Sequence, residues 1–495
     1  MIDPYHRGDR LGFEAGVGGL VSCLVLVGCS LNQAGREEVS RALEQHALAQ
    51  PADAEAYAQT PSLRPPERTK AQQTEQSFHA PTTLREFILA ALNKNPDIQA
   101  AHQKARAKAE RIPQVTALPD PNLSTKTLPE PVRTAEGDNF FILGVSQKLP
   151  VPEKLDRAGR IALEETRIAL QRLEETRLRI IADVKRVYFQ LYVIDQSLQV
   201  TRDNQDLLRG LIDVARAQVA AGRRGQDDAL RAQVELSNLE AELIALRQNR
   251  VTAAARLNEL LDRPVTTPVP TPEGFSIRQA DLSLENLLAK AVKANPALKR
   301  LEHRIEREVH AVELARLAYW PDFMLGFEWM SMESRKSFRP PPNPMTGQRP
   351  AVPKLSEDGT DNWGITFGFT LPIWFDKIKA GIDEATYNLA AARREYQSAR
   401  NRVDFQIEDA LERVRSQRDL AALFDGTIIP QARQTYQVSQ ASYIAGTNDF
   451  LYVIDNWRKW LVFNIQYYRS LGDLERSVAD LEQAIGLSLS EAGAP

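Results

Sequence analysis

The sequence predicts a mainly α-helical protein that also contains strands of the kind found in membrane β-barrels, with one unit repeated twice. Three observations predict this fold class. The phrase LNKNPDIQA at residues 92–100 returns as VKANPALKR at residues 292–300, long helical stretches carry a coiled-coil seam, and short segments alternate apolar with polar residues. The two phrases are much further apart than a solenoid period of about 20–50 residues. A whole structural unit has therefore been duplicated, in the order helix, strand, strand, long helical hairpin.

The first residues read as a bacterial lipoprotein signal peptide. Basic residues precede an apolar run that is too short to span a membrane and that ends in Leu26-Val27-Gly28-Cys29. In such signals the small Gly28 admits the peptidase and the Cys29 thiol carries the palmitate-bearing lipid. The alternative is an ordinary signal peptide with incidental cysteines. Cys23 is the only other cysteine, so the main body has none for a disulfide or a metal site.

Six segments are expected along the chain, and the two repeats account for most of it. The lead-in is rich in Ala, Gln, Glu and Pro, which is typical of a polar and partly disordered stretch. The segments are the signal peptide at 1–28, the lead-in at 29–80, the first repeat at 81–265, a linker at 266–282, the second repeat at 283–487 and a tail at 488–495.

Each repeat begins with a helix that is interrupted. In the first repeat the helical pattern starts at the capping residues Thr82-Thr83. The proline that follows Asn95 or Asn295 cannot continue a helical hydrogen-bond ladder, and it restricts the residue before it. The repeated phrase therefore marks a fixed start or break of a helix, once per repeat.

Four alternating segments are predicted to be strands, at residues 121–128, 138–148, 322–330 and 361–371. In the last one, the odd-numbered residues from Trp363 to Leu371 are apolar and the even-numbered residues are polar or glycine. This length and the tryptophans near the ends are typical of membrane-barrel strands. A half-buried strand pair in a soluble domain is the alternative.

A long helical hairpin follows each strand pair. Residues 153–221 contain no internal proline and predict one helix roughly 100 Å long. Its seam steps by four and three residues alternately, through Ile180, Val184, Val187, Leu191, Ile194 and Leu198. We expect Gly222 and Gly225 to make the turn into a return helix at residues 227–261.

The second hairpin follows the same pattern. Its first helix is expected from about Lys379, its turn at Gly446 and its return through Ile485. Pro430 lies inside the first of these helices and should kink it or mark a break, because its ring removes a hydrogen bond.

The second turn carries the most specific motif, YIAGTNDFLYVIDNWRKWL at residues 443–461. It has a glycine turn, an apolar pair and a valine and aspartate step that ends at Asp455. With the repeat order, the Asn-Pro phrase and the lipoprotein signal, it resembles the TolC-like outer-membrane efflux proteins over residues 82–487. Residues 145–162 weakly resemble the heavy-metal branch of that family.

The resemblance implies a homotrimer in which each chain gives four strands to a twelve-stranded barrel in the outer membrane, and its long helices to an α-helical tube in the periplasm. It implies a periplasmic adaptor (membrane fusion) protein and an inner-membrane pump as partners, docked at the hairpin turns marked by Gly222, Gly225 and Gly446. The protein would be a passive exit duct, anchored by lipid in the outer membrane, with no enzymatic activity and no cofactor.

The resemblance also implies a periplasmic gate. Asp455 matches an acidic gate position, while Tyr452 departs from the second acid of some members. Asp228 and Tyr443 match positions that hold neighbouring hairpins closed, and Asn448 stands where some members carry an arginine. Three Asp455 carboxylates around a threefold axis would repel one another and favour cations. The alternative for Asp455 is a solvated helix carboxylate.

The cargo is less well specified. The four methionines beyond Met1 cluster at positions 324, 330, 332 and 345. Their thioethers suit Cu(I) or silver, but filling of strands and a loop is the simpler interpretation. His303, His310 and Glu313 share a helix face, which is interpreted as solvated, so no metal site is predicted. Metal cations are favoured over drugs as the cargo.

Other functional classes find little support. The formal net charge of −3 gives no electrostatic reason for nucleic-acid binding, and no phosphate loop, nucleophile elbow or zinc signature is present. A structural periplasmic coiled-coil lipoprotein would explain the signal and the helices but not the repeated strands. An outer-membrane duct for a secreted polypeptide remains the other alternative.

Overall fold

The computed structural model describes residues 82–134, 137–272, 283–334, 342–349 and 359–489. The predicted signal peptide, Cys29 and the lead-in lie outside these described residues. Secondary structure follows the same order in both repeats. The first contains α1 (Leu84–Lys94), α2 (Pro96–Ala109), α3 (Arg111–Thr116), β1 (Asn122–Thr134), β2 (Gly137–Leu149), α4 (Pro152–Ala220) and α5 (Asp227–Leu260).

The second repeat contains α6 (Leu284–Ala294), α7 (Pro296–Arg316), a 3₁₀ turn (Leu317–Tyr319), β3 (Phe323–Glu333), β4 (Asn362–Phe369), α8 (Phe375–Leu423), a π-helical segment (Phe424–Ile428), α9 (Ile429–Ile444) and α10 (Phe450–Ile485). None of the helices in the described part of the chain combines the length and the apolarity that a membrane span requires.

The first helix begins where its capping residues predict. The Thr83 hydroxyl accepts a hydrogen bond from the Glu86 backbone amide at 3.3 Å, and the Glu86 carboxylate accepts one from the Thr83 amide at 3.2 Å. This is a capping box, which satisfies two backbone donors that the helix leaves free.

The Asn-Pro phrase builds the same joint in both repeats. The Asn95 Oδ1 accepts hydrogen bonds from the amides of Asp97 (3.0 Å) and Ile98 (3.4 Å), at the start of α2. Its Nδ2 donates to the Leu260 carbonyl at 3.0 Å, at the end of α5. One buried asparagine thus ends α1, caps α2 and holds the last turn of the return helix. The predicted break is confirmed.

The corresponding asparagine of the second repeat makes equivalent bonds. The Asn295 Oδ1 accepts from the amides of Ala297 (2.8 Å) and Leu298 (3.2 Å), and its Nδ2 donates to the Ala484 carbonyl at 2.7 Å. The repeated phrase is therefore a helix cap that also ties each repeat to its own C-terminal helix.

The four strands form one antiparallel sheet in the order β1-β2-β3-β4. Its register places Phe327 opposite Val145 and Ile365, on an apolar face. Glu328 lies opposite Gly144 and Gly364, on the other face, which is mostly polar or glycine. All four predicted strands are present, and the alternation expected for residues 361–371 is confirmed.

The coiled-coil seam of α4 is buried along its predicted length. The six seam residues, Ile180, Val184, Val187, Leu191, Ile194 and Leu198, join one hydrophobic cluster with α1 and α5. A second cluster, near the hairpin turns, contains Leu208, Tyr443, Phe450 and Trp457. A third joins α6, α7, α8 and α10 through Leu287, Leu298, Ile407 and Leu481. The first and third clusters each belong to one repeat, and the second joins the two hairpins.

Pro430 marks a break in the second descending helix, as predicted. It lies in the first turn of α9, where the absence of a backbone donor does no harm. The five residues before α9, Phe424–Ile428, are π-helical and join α8 to α9. α8 begins at Phe375, four residues before the predicted start and three residues after Pro372.

The chain forms two compact units, and each contains parts of both repeats. One consists of the described residues of 107–166 and 303–393 and contains the sheet. The other consists of the described residues of 82–106, 167–302 and 394–489 and contains both hairpin turns and the three hydrophobic clusters.

Candidate gate at the hairpin turns

Both hairpin turns end their descending helix in the same way. Gly222 and Gly446 have φ of 70° and 81°, a left-handed conformation that favours glycine. In the first turn Arg223 N donates to the Gln218 carbonyl at 3.0 Å, and in the second Thr447 N donates to the Ser442 carbonyl at 2.9 Å. Each glycine amide also donates to the carbonyl three residues before it, Val219 for Gly222 and Tyr443 for Gly446, so both turns are Schellman motifs. The glycine turns are where the sequence predicts them.

The start of the return helix differs between the two turns. In the second turn, the Asp449 carboxylate caps α10 by accepting a hydrogen bond from the Leu451 amide at 3.3 Å. In the first, Gln226 precedes α5 without a side-chain cap, and Gly225 lies just before it. The first turn therefore has fewer local bonds to hold it in place.

Asp228 and Tyr443, two of the predicted gate residues, are in contact. The Tyr443 hydroxyl donates a hydrogen bond to the Asp228 Oδ2 at 3.0 Å, and both side chains are buried. The Phe450 ring packs on Tyr443 with ring centroids 5.1 Å apart. The bond joins the two hairpins of a single chain, because Asp228 opens α5 and Tyr443 lies in the last turn of α9.

Burial sets the protonation of this pair. It raises the pKa of Asp228 above the usual value of an aspartate, and the hydrogen bond from Tyr443 only partly offsets that effect. The pKa of Tyr443 is raised well above that of a free phenol, mainly by burial and then by the neighbouring carboxylate. The phenol therefore remains the donor across the physiological pH range.

Arg224 is the residue at this site that sequence analysis missed. Its Nη2 donates to the Asn448 carbonyl at 2.6 Å and to the Gly446 carbonyl at 3.2 Å. Its guanidinium lies 5.4 Å from the centre of the Tyr443 ring, within cation–π range. Some family members carry an arginine where this chain has Asn448, and here Arg224 of the first turn contacts that position instead. The two arginines that follow Gly222 were the sequence feature that could have indicated this contact.

Asp455 and Tyr452 lie apart from this buried pair, on a solvent-facing side of α10. The Asp455 Oδ2 forms an ion pair with the Lys459 Nζ at 2.7 Å, one helical turn further on. Tyr452, three residues before Asp455, is 60% exposed. Within one chain the predicted gate residues therefore form two groups, a buried link between the turns and an exposed acidic position.

The histidines singled out in the sequence each lie beside a glutamate carboxylate. His303 Nδ1 lies 2.9 Å from Glu164 Oε2, and His310 Nδ1 lies 3.1 Å from Glu313 Oε2. Arg157 also contacts Glu313, at 2.8 Å. Among the described residues, no group of three His, Cys, Asp or Glu side chains is placed to hold a metal ion.

Comparison with known proteins gives consistent relatives. The family model described as outer membrane efflux protein matches residues 88–263 and 287–487. The cobalt-zinc-cadmium resistance protein CzcC of Cupriavidus metallidurans is 23% identical over 414 residues, which cover 82% of this chain and 90% of CzcC. The toluene efflux pump outer membrane protein TtgF of Pseudomonas putida is 21% identical over 455 residues, covering 87% of this chain and 89% of TtgF.

A solved structure shows the same fold. The outer-membrane channel OprN superimposes with a TM-score of 0.67, at 16% sequence identity. The match covers 87% of this chain and 99% of OprN.

Proposed function

This chain belongs to the outer membrane efflux protein family, and we propose that it is the passive exit duct for metal cations in a tripartite efflux system, completed by a periplasmic adaptor and an inner-membrane pump. The resemblance to TolC-like proteins inferred from the sequence is confirmed, since the family model covers parts of both repeats. The family consists of outer-membrane efflux channels and not of enzymes. The assembly, the cargo and the gate are the finer parts of the proposal.

An exposed heptad seam carries the proposal of a homotrimer. Four large apolar residues of α5 lie on one heptad series and are 59–70% exposed: Leu230, Val234, Ile244 and Val251. Ser237, Ala241 and Gln248 complete the alternating spacing of four and three residues. Such a seam on a soluble helix calls for a partner helix. A neighbouring copy of the chain would supply it.

The sheet supports the same assembly. Its apolar face exposes Trp363, Ile365 and Phe367, each by 60% or more. β1 and β4 are its two edges. Edges and an apolar face of this kind are satisfied when sheets join side by side in lipid. Three chains would then give a twelve-stranded barrel in the outer membrane, and the long hairpins would form the periplasmic tube, with the lipid on Cys29 as an added anchor.

We propose that the two groups of gate residues have different roles. Asp228, Tyr443 and Arg224 hold the two turns of one chain together, so that they move as one body. Asp455 and Tyr452 face outward, and in a trimer three Asp455 carboxylates would meet near the axis. Lys459 pairs with each carboxylate and would reduce the local negative charge. Adaptor proteins would dock on the turns marked by Gly222, Gly225 and Gly446.

Metal cations are proposed as the cargo because of the similarity to CzcC and the acidic position at Asp455. TtgF is the outer membrane protein of a toluene efflux pump, so the similarity to it makes organic compounds the second candidate. Deletion of the gene in its host separates the two. Metal cargo predicts greater sensitivity to cobalt, zinc or cadmium salts with unchanged tolerance of toluene, and the reverse result would overturn the metal assignment.

Conductance of the purified protein in planar lipid bilayers tests the duct itself. Asp455→Asn should lower the preference for cations over anions, and Lys459→Gln should raise it, because the two charges are adjacent on one face. These variants are matched, since each removes one charge from the same ion pair. Absence of conductance in the unmodified protein, even when adaptor is added, would favour the structural lipoprotein.

A further inference from the structure

Three of the chain's methionines share the polar face of the sheet. Met324, Met330 and Met332 are all even-numbered residues of β3 and lie on the same side as Glu328. The cross-strand neighbours of this face include Gly144, Ser146 and Thr366. Ile142, directly opposite Met330, and Val132, opposite Asn139, are also on this face. Most of the other large apolar side chains of the sheet lie on the opposite face, so packing of that face does not explain the thioethers.

Two of the three are close enough to act together. Met330 and Met332 are separated by one residue, so their Cα atoms lie about 7 Å apart on one face of the strand. Met332 is only 7% exposed, although it lies on the polar face. Met324 is six residues from Met330 on the same strand, which places it about 20 Å away.

An unsatisfied oxygen lies beside this pair. Asn139 is directly opposite Met332 in the β2–β3 ladder, and it is 6% exposed. Its Oδ1 is buried and has no hydrogen-bond partner among the described residues. Buried amide oxygens nearly always have a partner, so this one is available to a bound ion. A β-bulge between Asn139 and Phe141 sets this position off from the regular ladder.

Acidic groups give the same place a negative potential. The Met332 amide donates to Asp361 Oδ1 at 2.9 Å, which brings that carboxylate to the strand beside the thioether. Glu328 lies two residues before Met330 on the same face. A cation would gain from both charges, and a neutral organic molecule would not.

We infer that Met330, Met332 and the Asn139 Oδ1 form a binding site for a soft monovalent cation, Cu(I) or Ag(I). Thioether sulfur prefers such ions, whereas Zn²⁺ and Co²⁺ prefer imidazole, carboxylate or thiolate ligands. The inference rests on the proposed duct and names a class of cargo that its polar face would bind in passage.

Methyl NMR of the full-length protein in detergent tests the site directly. The chain has 5 methionines in all, so labelling with ¹³C-methyl methionine gives few signals, each assignable by a methionine-to-leucine variant. Titration with silver nitrate should shift the signals of Met330 and Met332 at the first equivalent. The signals of Met324 and of the 96% exposed Met345 should remain in place.

Matched variants measure the affinity. We expect Met330→Leu with Met332→Leu to weaken Ag(I) binding by at least tenfold in calorimetry, and Met324→Leu to leave it unchanged, because leucine conserves the volume of methionine. Asn139→Leu should weaken it less than the double variant. Zinc chloride should give no corresponding shifts.

Two results would overturn the site: equal shifts of all methionines, which indicate adventitious silver binding, or equal affinities of the double and Met324 variants. The proposed duct is judged separately, by potassium conductance of the same preparation. A conducting protein that fails the silver test refutes the site alone, whereas loss of conductance in the unmodified protein refutes the duct.

Discussion

The two repeats keep the same joint and differ in the helix that follows it. Asn95 and Asn295 make the same three hydrogen bonds, to two amides of the next helix and one carbonyl of the return helix. The descending helix, in contrast, is one element of 69 residues in the first repeat and is divided by a π-helical segment in the second.

Burial explains why the joint is the same in both repeats whereas the descending helix is continuous in only one of them. At the joint, backbone donors and acceptors are shielded from water, and an asparagine with two opposed polar groups satisfies both sides. Along the helix the demand is only for an apolar stripe. α4 buries its seam within its own chain, whereas α8 leaves Tyr387 and Phe405 more than 60% exposed. Duplicated sequences therefore diverge where a partner outside the repeat can provide the packing.

The largest effect is expected at the joint. Asn95→Ala and Asn295→Ala should each destabilise the protein by about 3 kcal/mol, because each removes a helix cap and leaves a buried carbonyl without its donor. Thermal and denaturant unfolding would measure this. Asn93→Ala, an exposed neighbour, is the control and should have little effect. Clearly unequal losses at the two joints would contradict their equivalence.

A smaller effect is expected from the arginine that only the first turn contributes. Arg224→Met should weaken the link between the turns by about 1–2 kcal/mol, since its charged hydrogen bonds are lost while much of its volume is kept. Faster amide hydrogen exchange at residues 443–450 would report this, with higher conductance if the link restrains the gate. Arg223→Met, the exposed adjacent residue, is the matched control. Identical exchange in both variants would show that Arg224 does not hold the second turn.

The pH dependence of the link should be weaker still. The pKa of Asp228 is raised in the folded state, so the folded protein holds this proton more tightly than the unfolded chain does. Its contribution favours the closed turns at acidic pH and declines as pH rises through the raised pKa. Protection factors of the turns, which remove the pH dependence of intrinsic amide exchange, should therefore be larger on the acidic side of the raised pKa than well above it. Asp228→Asn should abolish that difference, and a variant that retained it would assign the effect elsewhere.

The smallest effect is expected at the break in the second repeat. Pro430→Ala should change stability by less than about 1 kcal/mol, because proline in the first turn of a helix removes no intrahelical bond. Denaturant unfolding would measure it, with Ala432→Pro, inside α9, as the damaging comparison. A large loss from Pro430→Ala would mean that the proline itself maintains the π-helical segment.

Features determined by nearby residues could be predicted from the sequence. The Thr83 cap, the Asn-Pro break, the glycine turns and the alternation of β4 each depend on residues within a few positions. The start of α8 was placed four residues too late, because its first turn contains no residue that marks a cap clearly. The domain boundaries expected for the two repeats remain predictions.

Features determined by distant residues could not be predicted in the same way. Arg224 and Asn448 are 224 positions apart, and the hydrogen bond between them depends on how two hairpins pack. The contact of Tyr443 with Asp228 was anticipated only through family resemblance. The unsatisfied Asn139 Oδ1 beside Met332 has no sequence signal, because it follows from strand register and a bulge.

Arg224 donates its hydrogen bonds to backbone carbonyls of the second turn, and this has a consequence for how the turn can evolve. Every residue has a backbone carbonyl, so substitution of Thr447 or Asn448 would leave the hydrogen-bond acceptors of Arg224 in place. The side chains of this turn can therefore change during evolution while the link between the two turns is kept. A lineage acquiring a different pump could refit its duct through a few substitutions there, and a designer could attempt the same exchange.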